Sequence, residues 1–373
     1  MNIKLFNKIA AVGLDRLGAG YTASEDATDY AGVLVRSAAL HEEKFPQSLL
    51  GIARAGAGVN NIPVDRCTDE GICVFNTPGA NANGVKELAV LAMLLAARDV
   101  AGGIQWAKTL AGQEDVAKQV EKGKSAFAGT ELLGKTLGIF GLGAIGALVA
   151  NAALGLGMQV IGYDPWLSAG AALKLMPQVQ VTGDLDELYA RADYVSIHVP
   201  STPDTRGMIN AAALEKMKSG VKILNLARAD LVNEADLLAA LEAGKVSRYV
   251  TDFPTPGVIG KPGVIAIPHL GASTAEAEDT CAVMAVDQLK DFLENGNVKN
   301  SVNLPNVSLP RQGKCRLGVI TKGESVALSA AVAQACASAA GTRKGVGYTL
   351  LETEQDPQAA LAQDPAVIRV YRF

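Results

Sequence analysis

Between Lys135 and Asp164 the chain reads KTLGIFGLGAIGALVANAALGLGMQVIGYD, a pattern that leaves little choice of fold. A buried-type apolar run enters G-L-G-A-I-G, an alanine-rich helical stretch follows, and a second apolar run ends on an acid. A strand, a crossover helix and a second strand in that order form a parallel pair. Gly141 permits the tight turn, Gly143 the close approach of a pyrophosphate, and Gly146 the close packing of helix on strand. The helix N-terminus, at Ala144 and Ile145, offers unpaired N–H groups to phosphate. Asp164, about 20 residues on, is placed to accept hydrogen bonds from ribose hydroxyls and to repel a 2′-phosphate, so NAD is the expected cofactor rather than NADP.

The same alternation extends over most of the chain. From about residue 30, short β-branched runs alternate with longer alanine- and leucine-rich stretches. YAGVLVRS, LLGIARAG and GICVFNTP form a first set of strands, and KTLGIF, MQVIGYD, YVSIHVP, VKILNLA, SRYVTDF and VIAIPH a second. A helix over about 85–108 joins them. Gly157, Gly220 and Gly244 stand where helices should end, and Ser273 with Glu276 forms a capping-box pattern opening a helix over about 274–295. That helix is long enough to run back to the first set. The expected fold is therefore α/β: two doubly wound, Rossmann-like parallel-sheet domains, 1–84 with 275–303 and 85–274, followed by a proline-rich linker at 304–312 and a small α+β domain at 313–373. In that tail CRLGVITK, GVGYTLLETE and AVIRVYRF read as strands, with helices at about 325–337 and near Ala359.

Composition narrows the function. A chain of 373 residues with 49% hydrophobic and 19% charged side chains has the size for two domains and a small third. A net charge of −4 without a basic block gives no field to attract nucleic acid or anionic lipid, which leaves a small molecule as the expected partner. The five cysteines are scattered and lack C-x-x-C spacing, which argues against a disulfide framework and a metal site and for a reducing cytoplasm. No targeting segment or apolar run of membrane-spanning length stands out.

Ligands of open α/β sheets bind beyond the carboxyl ends of the strands. There the sequence sets Arg36 and Ser37, Arg54, Asn76 and Thr77, His198 and Pro200, Arg228, Asp252, and His269. His41 reads as a surface residue. GLGAIG with Asp164, HVPSTPDTRGMI, ILNLARADLVNEADLLAAL and IPHLGAST, in this order, resemble the D-2-hydroxyacid dehydrogenase family. RSAAL, RAGAGVNNIP and FNTPGANANGVKELAV are similar to its D-3-phosphoglycerate dehydrogenases, and the resemblance covers nearly the whole chain. It implies oxidation of 3-phospho-D-glycerate to 3-phosphohydroxypyruvate, the entry to serine synthesis. His269 would be the general acid/base and Arg228 the guanidinium on the substrate's carboxylate and carbonyl oxygen. It also implies Arg36, Ser37 and Arg54, with Lys124 of a neighbouring subunit, on the rest of the substrate. The cofactor-binding set would be Gly141, Gly143, Ala144, Ile145, Asp164, His198, Pro200, Thr205, Ala227 and Asp252, in a homodimer or homotetramer.

Three departures from the family pattern stand out. Where the family places a glutamate paired with its histidine, TDFPTPGVIGKP puts Pro256. Such a carboxylate stabilises the protonated imidazole and fixes its orientation, so His269 is expected to act alone and more slowly unless Asp252 or another carboxylate serves it. Ala229, followed by Asp230, stands where glycine is usual. The tail resembles an ACT domain, but KGESVALS lacks the expected asparagine and glycine, and ACASAAGTRKG looks too short for a second strand. Subunit contact or a vestigial role is expected there rather than serine control. Two other readings stay open: a glyoxylate- or hydroxypyruvate-type 2-hydroxyacid reductase, and a catalytically weak NAD-binding scaffold.

Overall fold

The computed structural model describes residues 1–373, which divide into two compact units: Met1–Asn81 with Ala275–Phe373, and Ala82–Thr274. In the first unit β1 (Asn2–Phe6), β2 (Thr22–Ser24), β3 (Gly32–Val35), β4 (Gly51–Arg54) and β5 (Cys73–Phe75) form a parallel sheet in the order β2-β1-β3-β4-β5. This is the order of a flavodoxin-like doubly wound sheet. The strands β1 and β2 precede the point where the sequence pattern was expected to begin. Only Ile3 of β1 is fully buried, although the strand lies inside the sheet between β2 and β3. The helix Ala275–Asn295 buries Ala285, Leu289, Phe292 and Leu293 in the core of this unit. Close approach to the sheet depends on Gly51, where a Cβ would stand 3.1 Å from Leu289 and 3.3 Å from Phe292. The expected capping box does not form: the Ser273 hydroxyl donates to the His269 carbonyl instead.

In the second unit β6 (Thr136–Phe140), β7 (Gln159–Tyr163), β8 (Gln180–Thr182), β9 (Tyr194–Ile197), β10 (Val221–Asn225), β11 (Val246–Thr251) and β12 (Val264–Ala266) form an all-parallel sheet. Its order is β12-β11-β10-β9-β6-β7-β8, the Rossmann arrangement, with the winding reversing between β6 and β9. The helix expected over 85–108 is two, Ala82–Ala97 and Val100–Lys108. The chain breaks because Asp99 leaves the helical conformation and its carboxylate accepts from the Gly102 amide, capping the second helix. Gly157 and Gly244 follow helix ends with φ of 76° and 70°, whereas Gly220 serves the turn before β10, its helix having ended at Lys216.

The C-terminal segment is built from β13 (Cys315–Lys322), β14 (Ala337–Arg343), β15 (Val346–Thr353) and β16 (Val367–Arg372). They form an antiparallel sheet ordered β14-β15-β13-β16, with helices Val326–Ala333 and Gln358–Leu361 after β13 and β15. This β-α-β-β-α-β arrangement is ferredoxin-like. The second strand therefore exists, contrary to expectation. Its residues are small, and the turn that reverses it is Lys344-Gly345, both left-handed at φ 49° and 81°, which suits a two-residue hairpin turn but lacks the usual Asn-Gly signature.

Nor is 304–312 a loose connection. Leu304 and Val307 are buried in the core of the first unit, and Val307 bridges to Val298. The buried Arg316 guanidinium pairs with Glu352 and donates to the carbonyls of Asn295 (2.5 Å) and Leu309 (2.7 Å). Arg369 reaches the carbonyls of Leu49 and Gln47, and the Tyr371 hydroxyl that of Gly71. Phe292 stacks among Phe75, Tyr371 and Phe373 at 5.4–5.8 Å. The tail shares one apolar core with the first sheet.

Candidate active site

The turn after β6 shows why glycine stands at three positions. Gly141 has φ +83°, and a Cβ there would lie 2.6 Å from the His198 carbonyl oxygen at the end of β9. Gly146 lies over the turn, where a Cβ would come within 1.9 Å of the Gly141 carbonyl oxygen. Gly143 is different: no atom lies within 4 Å of where its Cβ would be, and its φ is −68°. Nothing in the fold excludes a side chain there, so the open space suits a ligand. The helix Ala144–Gly155 starts beside it without a side-chain cap, with Gly143 and Ala144 exposed and Ile145 half-buried, as phosphate binding requires.

Asp164 follows β7 and braces the same loop. Its two carboxylate oxygens accept from the amides of Leu142 and Trp166, both at 2.9 Å. A carboxylate has about four acceptor positions, so ribose hydroxyls can still be bound by the partly exposed group. The His198 ring shares a 2.8 Å hydrogen bond with Ser196, and burial lowers its pKa to about 4. A neutral imidazole is a wall rather than an acid at neutral pH. Thr205 turns inward to the loop, donating to the Pro200 carbonyl at 2.7 Å and accepting from the Thr202 amide. Asp230, beside the departure at Ala229, anchors this loop: its carboxylate meets the Ser201 hydroxyl at 2.6 Å and Arg206 at 3.2 Å.

Arg228 is carried on a turn held by Asn225. The buried Asn225 amide donates to the Arg228 carbonyl, and its oxygen accepts from the Ala227 amide. The exposed guanidinium donates to the Ala227 carbonyl and lies 5.1 Å from the centre of the Phe253 ring. The His269 ring is 4.4 Å from the same ring, tilted by 46°. Phe253, which strand-end reasoning passed over as one more apolar residue, thus brings Arg228 and His269 together. His269 is exposed with a left-handed φ of 28°, and its amide donates to the Asp252 carbonyl at 3.0 Å.

Asp252 is 1% exposed and its Oδ1 has no hydrogen-bond partner. Burial pushes its pKa up, opposed by the charges of His269 and Arg228 and by the Gly271 amide. Its carboxylate lies in electrostatic reach of the His269 imidazole. Pro256 is exposed, and a Cβ at Gly257 beside it would displace the end of the Glu234 side chain, whose carboxylate also binds the Thr255 hydroxyl.

In the first unit, Arg36 and Arg54 follow or end adjacent strands. Arg54 Nε donates to the Arg36 carbonyl at 3.0 Å, and Arg36 Nη2 pairs with Glu278 at 2.6 Å. The exposed Ser37 donates its amide to Asn7. Lys124, in the second unit, is exposed and paired with Glu121 at 2.5 Å.

Residues 91–271 match the model of the D-isomer specific 2-hydroxyacid dehydrogenase NAD binding domain. Among curated relatives, a D-3-phosphoglycerate dehydrogenase of Methanocaldococcus jannaschii is 38% identical over 276 residues, 72% of this chain and 50% of that protein. One from Archaeoglobus fulgidus is 34% identical over 316 residues, 81% of this chain and 57% of that protein. The chain thus spans little more than half the length of these relatives. Among solved structures, NAD+-bound 3-phosphoglycerate dehydrogenase of Entamoeba histolytica is 28% identical with a TM-score of 0.63, covering 81% of this chain and 98% of that one. A glyoxylate reductase from Paecilomyes thermophila is 26% identical with a TM-score of 0.67 over 81% and 98% of the two chains. Residues 91–271 thus carry an NAD-binding domain of the D-isomer specific 2-hydroxyacid dehydrogenase type.

Proposed function

We propose that the protein oxidises 3-phospho-D-glycerate to 3-phosphohydroxypyruvate with NAD, and catalyses the reverse reduction. The observation that carries this reading is the row Arg228–Phe253–His269, beyond the carboxyl ends of the sheet whose glycine turn suits a dinucleotide. Gly143, the uncapped helix N-terminus and Asp164 fit the pyrophosphate and ribose, and Ala144, Ile145, His198, Pro200, Thr205, Ala227 and Asp252 complete the set we assign to the cofactor. NAD, when bound, supplies the acceptor for the hydride on C2. His269 takes the proton of the 2-hydroxyl as the carbonyl forms and returns it in reduction. Arg228 holds the carboxylate and the carbonyl oxygen, its planar fork matching both. Arg36, Ser37 and Arg54 take the anionic tail, with Lys124 of a second copy as a further cation.

A second reading, reduction of an unphosphorylated 2-oxo acid such as glyoxylate, is favoured by the ion pair that already occupies Arg36. Leu91 and Leu94 on the helix Ala82–Ala97 and Val100 and Ile104 on the helix Val100–Lys108 are 39–52% exposed, and we assign them to a contact with a second copy of the chain, in a homodimer or homotetramer. All five cysteines are unpaired and four are buried, which supports a reducing, cytoplasmic setting. No helix is long and apolar enough to cross a membrane. The test is NADH consumption with 3-phosphohydroxypyruvate and with glyoxylate, for the wild type and Arg54→Ala. Turnover of the phosphorylated acid with a raised KM in the variant supports the first reading. Equal KM values favour the second, and NADH binding without turnover of either acid overturns both.

A further inference from the structure

The pair Arg36–Glu278 is more than a surface ion pair because of where it sits. Both residues are partly exposed, at 43% and 42% of the side chain. Arg36 follows β3, and Glu278 stands in the first turn of the helix Ala275–Asn295, where a carboxylate is already favourable to the helix without any cationic partner. Arg54 joins the group from the end of β4. Its guanidinium lies across Gly56, where a Cβ would stand 2.4 Å from Nη1, and its Nε holds the Arg36 carbonyl. The buried Cys281 thiol, one helical turn after Glu278, lies in the field of all three charges. Two guanidiniums and one carboxylate thus share one end of the first sheet.

We infer that Glu278 is a specificity-determining residue, an internal counter-charge that a substrate's phosphate must displace from Arg36. The inference rests on the reading above, in which Arg36 and Arg54 take the anionic tail. A dianionic phosphate meets an Arg36 whose charge is partly cancelled, and binds less tightly than it would with Arg36 uncovered. An acid without the phosphate has no group to place there and is indifferent to Glu278. The residue therefore sets the preference between phosphorylated and unphosphorylated 2-hydroxy acids, and lowers it.

The experiment compares the full-length wild type with Glu278→Gln and Glu278→Asp. Calorimetry measures the affinity for inorganic phosphate at low salt, and steady-state reduction gives KM for 3-phosphohydroxypyruvate and for glyoxylate. Removing an exposed carboxylate partner changes the anion's interaction by about fivefold. Glu278→Gln should tighten phosphate binding by that factor and lower KM for the phosphorylated acid alike, the change falling on KM rather than kcat, with KM for glyoxylate within twofold. Glu278→Asp keeps the charge and should follow the wild type. Unchanged phosphate affinity, weaker affinity in Glu278→Gln, or no phosphate binding in either protein overturns the inference; weaker affinity would show instead that Glu278 orients Arg36. The predicted difference in phosphate affinity without turnover of any 2-oxo acid leaves the counter-charge in place and sinks the dehydrogenase reading. Turnover without the difference does the reverse.

Discussion

Gly143 and Gly146, replaced separately by alanine, ask two different questions of one turn. At Gly143 the Cβ points into open space and φ is −68°, so alanine meets no clash; the freedom it removes from the unfolded chain, about 0.4–1 kcal/mol, is offset by its poorer fit at the N-cap, and stability should change little. Its methyl fills the space we assign to the pyrophosphate. A loss of at least about tenfold in NADH affinity is expected, equivalent to about 1.4 kcal/mol. At Gly146 the Cβ would lie 1.9 Å from the Gly141 carbonyl oxygen, where real Cβ atoms do not come within 3.0 Å, so backbone must move by about 1 Å. The turn resists, because the Gly141 amide is held on the Tyr163 carbonyl at 2.9 Å. Overpacking of this kind costs about 1–3 kcal/mol, against a helix-propensity gain of about 1 kcal/mol, so a lowering of Tm by a few degrees is expected, about 2–4 °C per kcal/mol for a unit of this size. Thermal unfolding without cofactor and a fluorescence titration with NADH measure both. The reasoning is refuted if Gly143→Ala binds NADH as tightly as the wild type, or if Gly146→Ala melts at the wild-type temperature.

Asp252→Asn should stabilise the fold while slowing catalysis. Burial holds the folded-state pKa of Asp252 above its unfolded value, so the ionised group costs stability above that folded pKa and the cost vanishes as the pH falls below about 3.9. The gain in Tm should therefore be present at neutral pH and absent in acid, and a lower Tm at neutral pH would contradict it. Arg316→Met should destabilise by about 3–5 kcal/mol in denaturant titrations by stranding buried Glu352, with much of the loss recovered in Arg316→Met/Glu352→Leu. A double variant no better than the single one would count against a packing role. Pro256→Glu should fold with an unchanged Tm and alter the pH profile of reduction, whereas Gly257→Glu should lower Tm by driving Glu234 off Thr255; the opposite order would place the family's glutamate position at 257.

What the sequence by itself determined lies in patterns within one β-α-β unit. The glycine motif, Asp164 and the apolar runs are local, because a parallel strand buried on both faces must be apolar along its length and a tight turn must be glycine. The same logic reaches Arg228 and His269 as strand-end residues. It misses β1 and β2, which are short and lie before the regular strand–helix alternation begins, and β14, whose turn is Lys344-Gly345 rather than Asn-Gly. Tertiary structure decided what residues far apart in sequence do to one another: that Phe253 bridges Arg228 and His269, that Asp252 loses water beside them, that Glu278 covers Arg36, and that 304–373 shares a core with the first sheet. Those facts depend on distance and desolvation, and neither is set by a residue's neighbours along the chain.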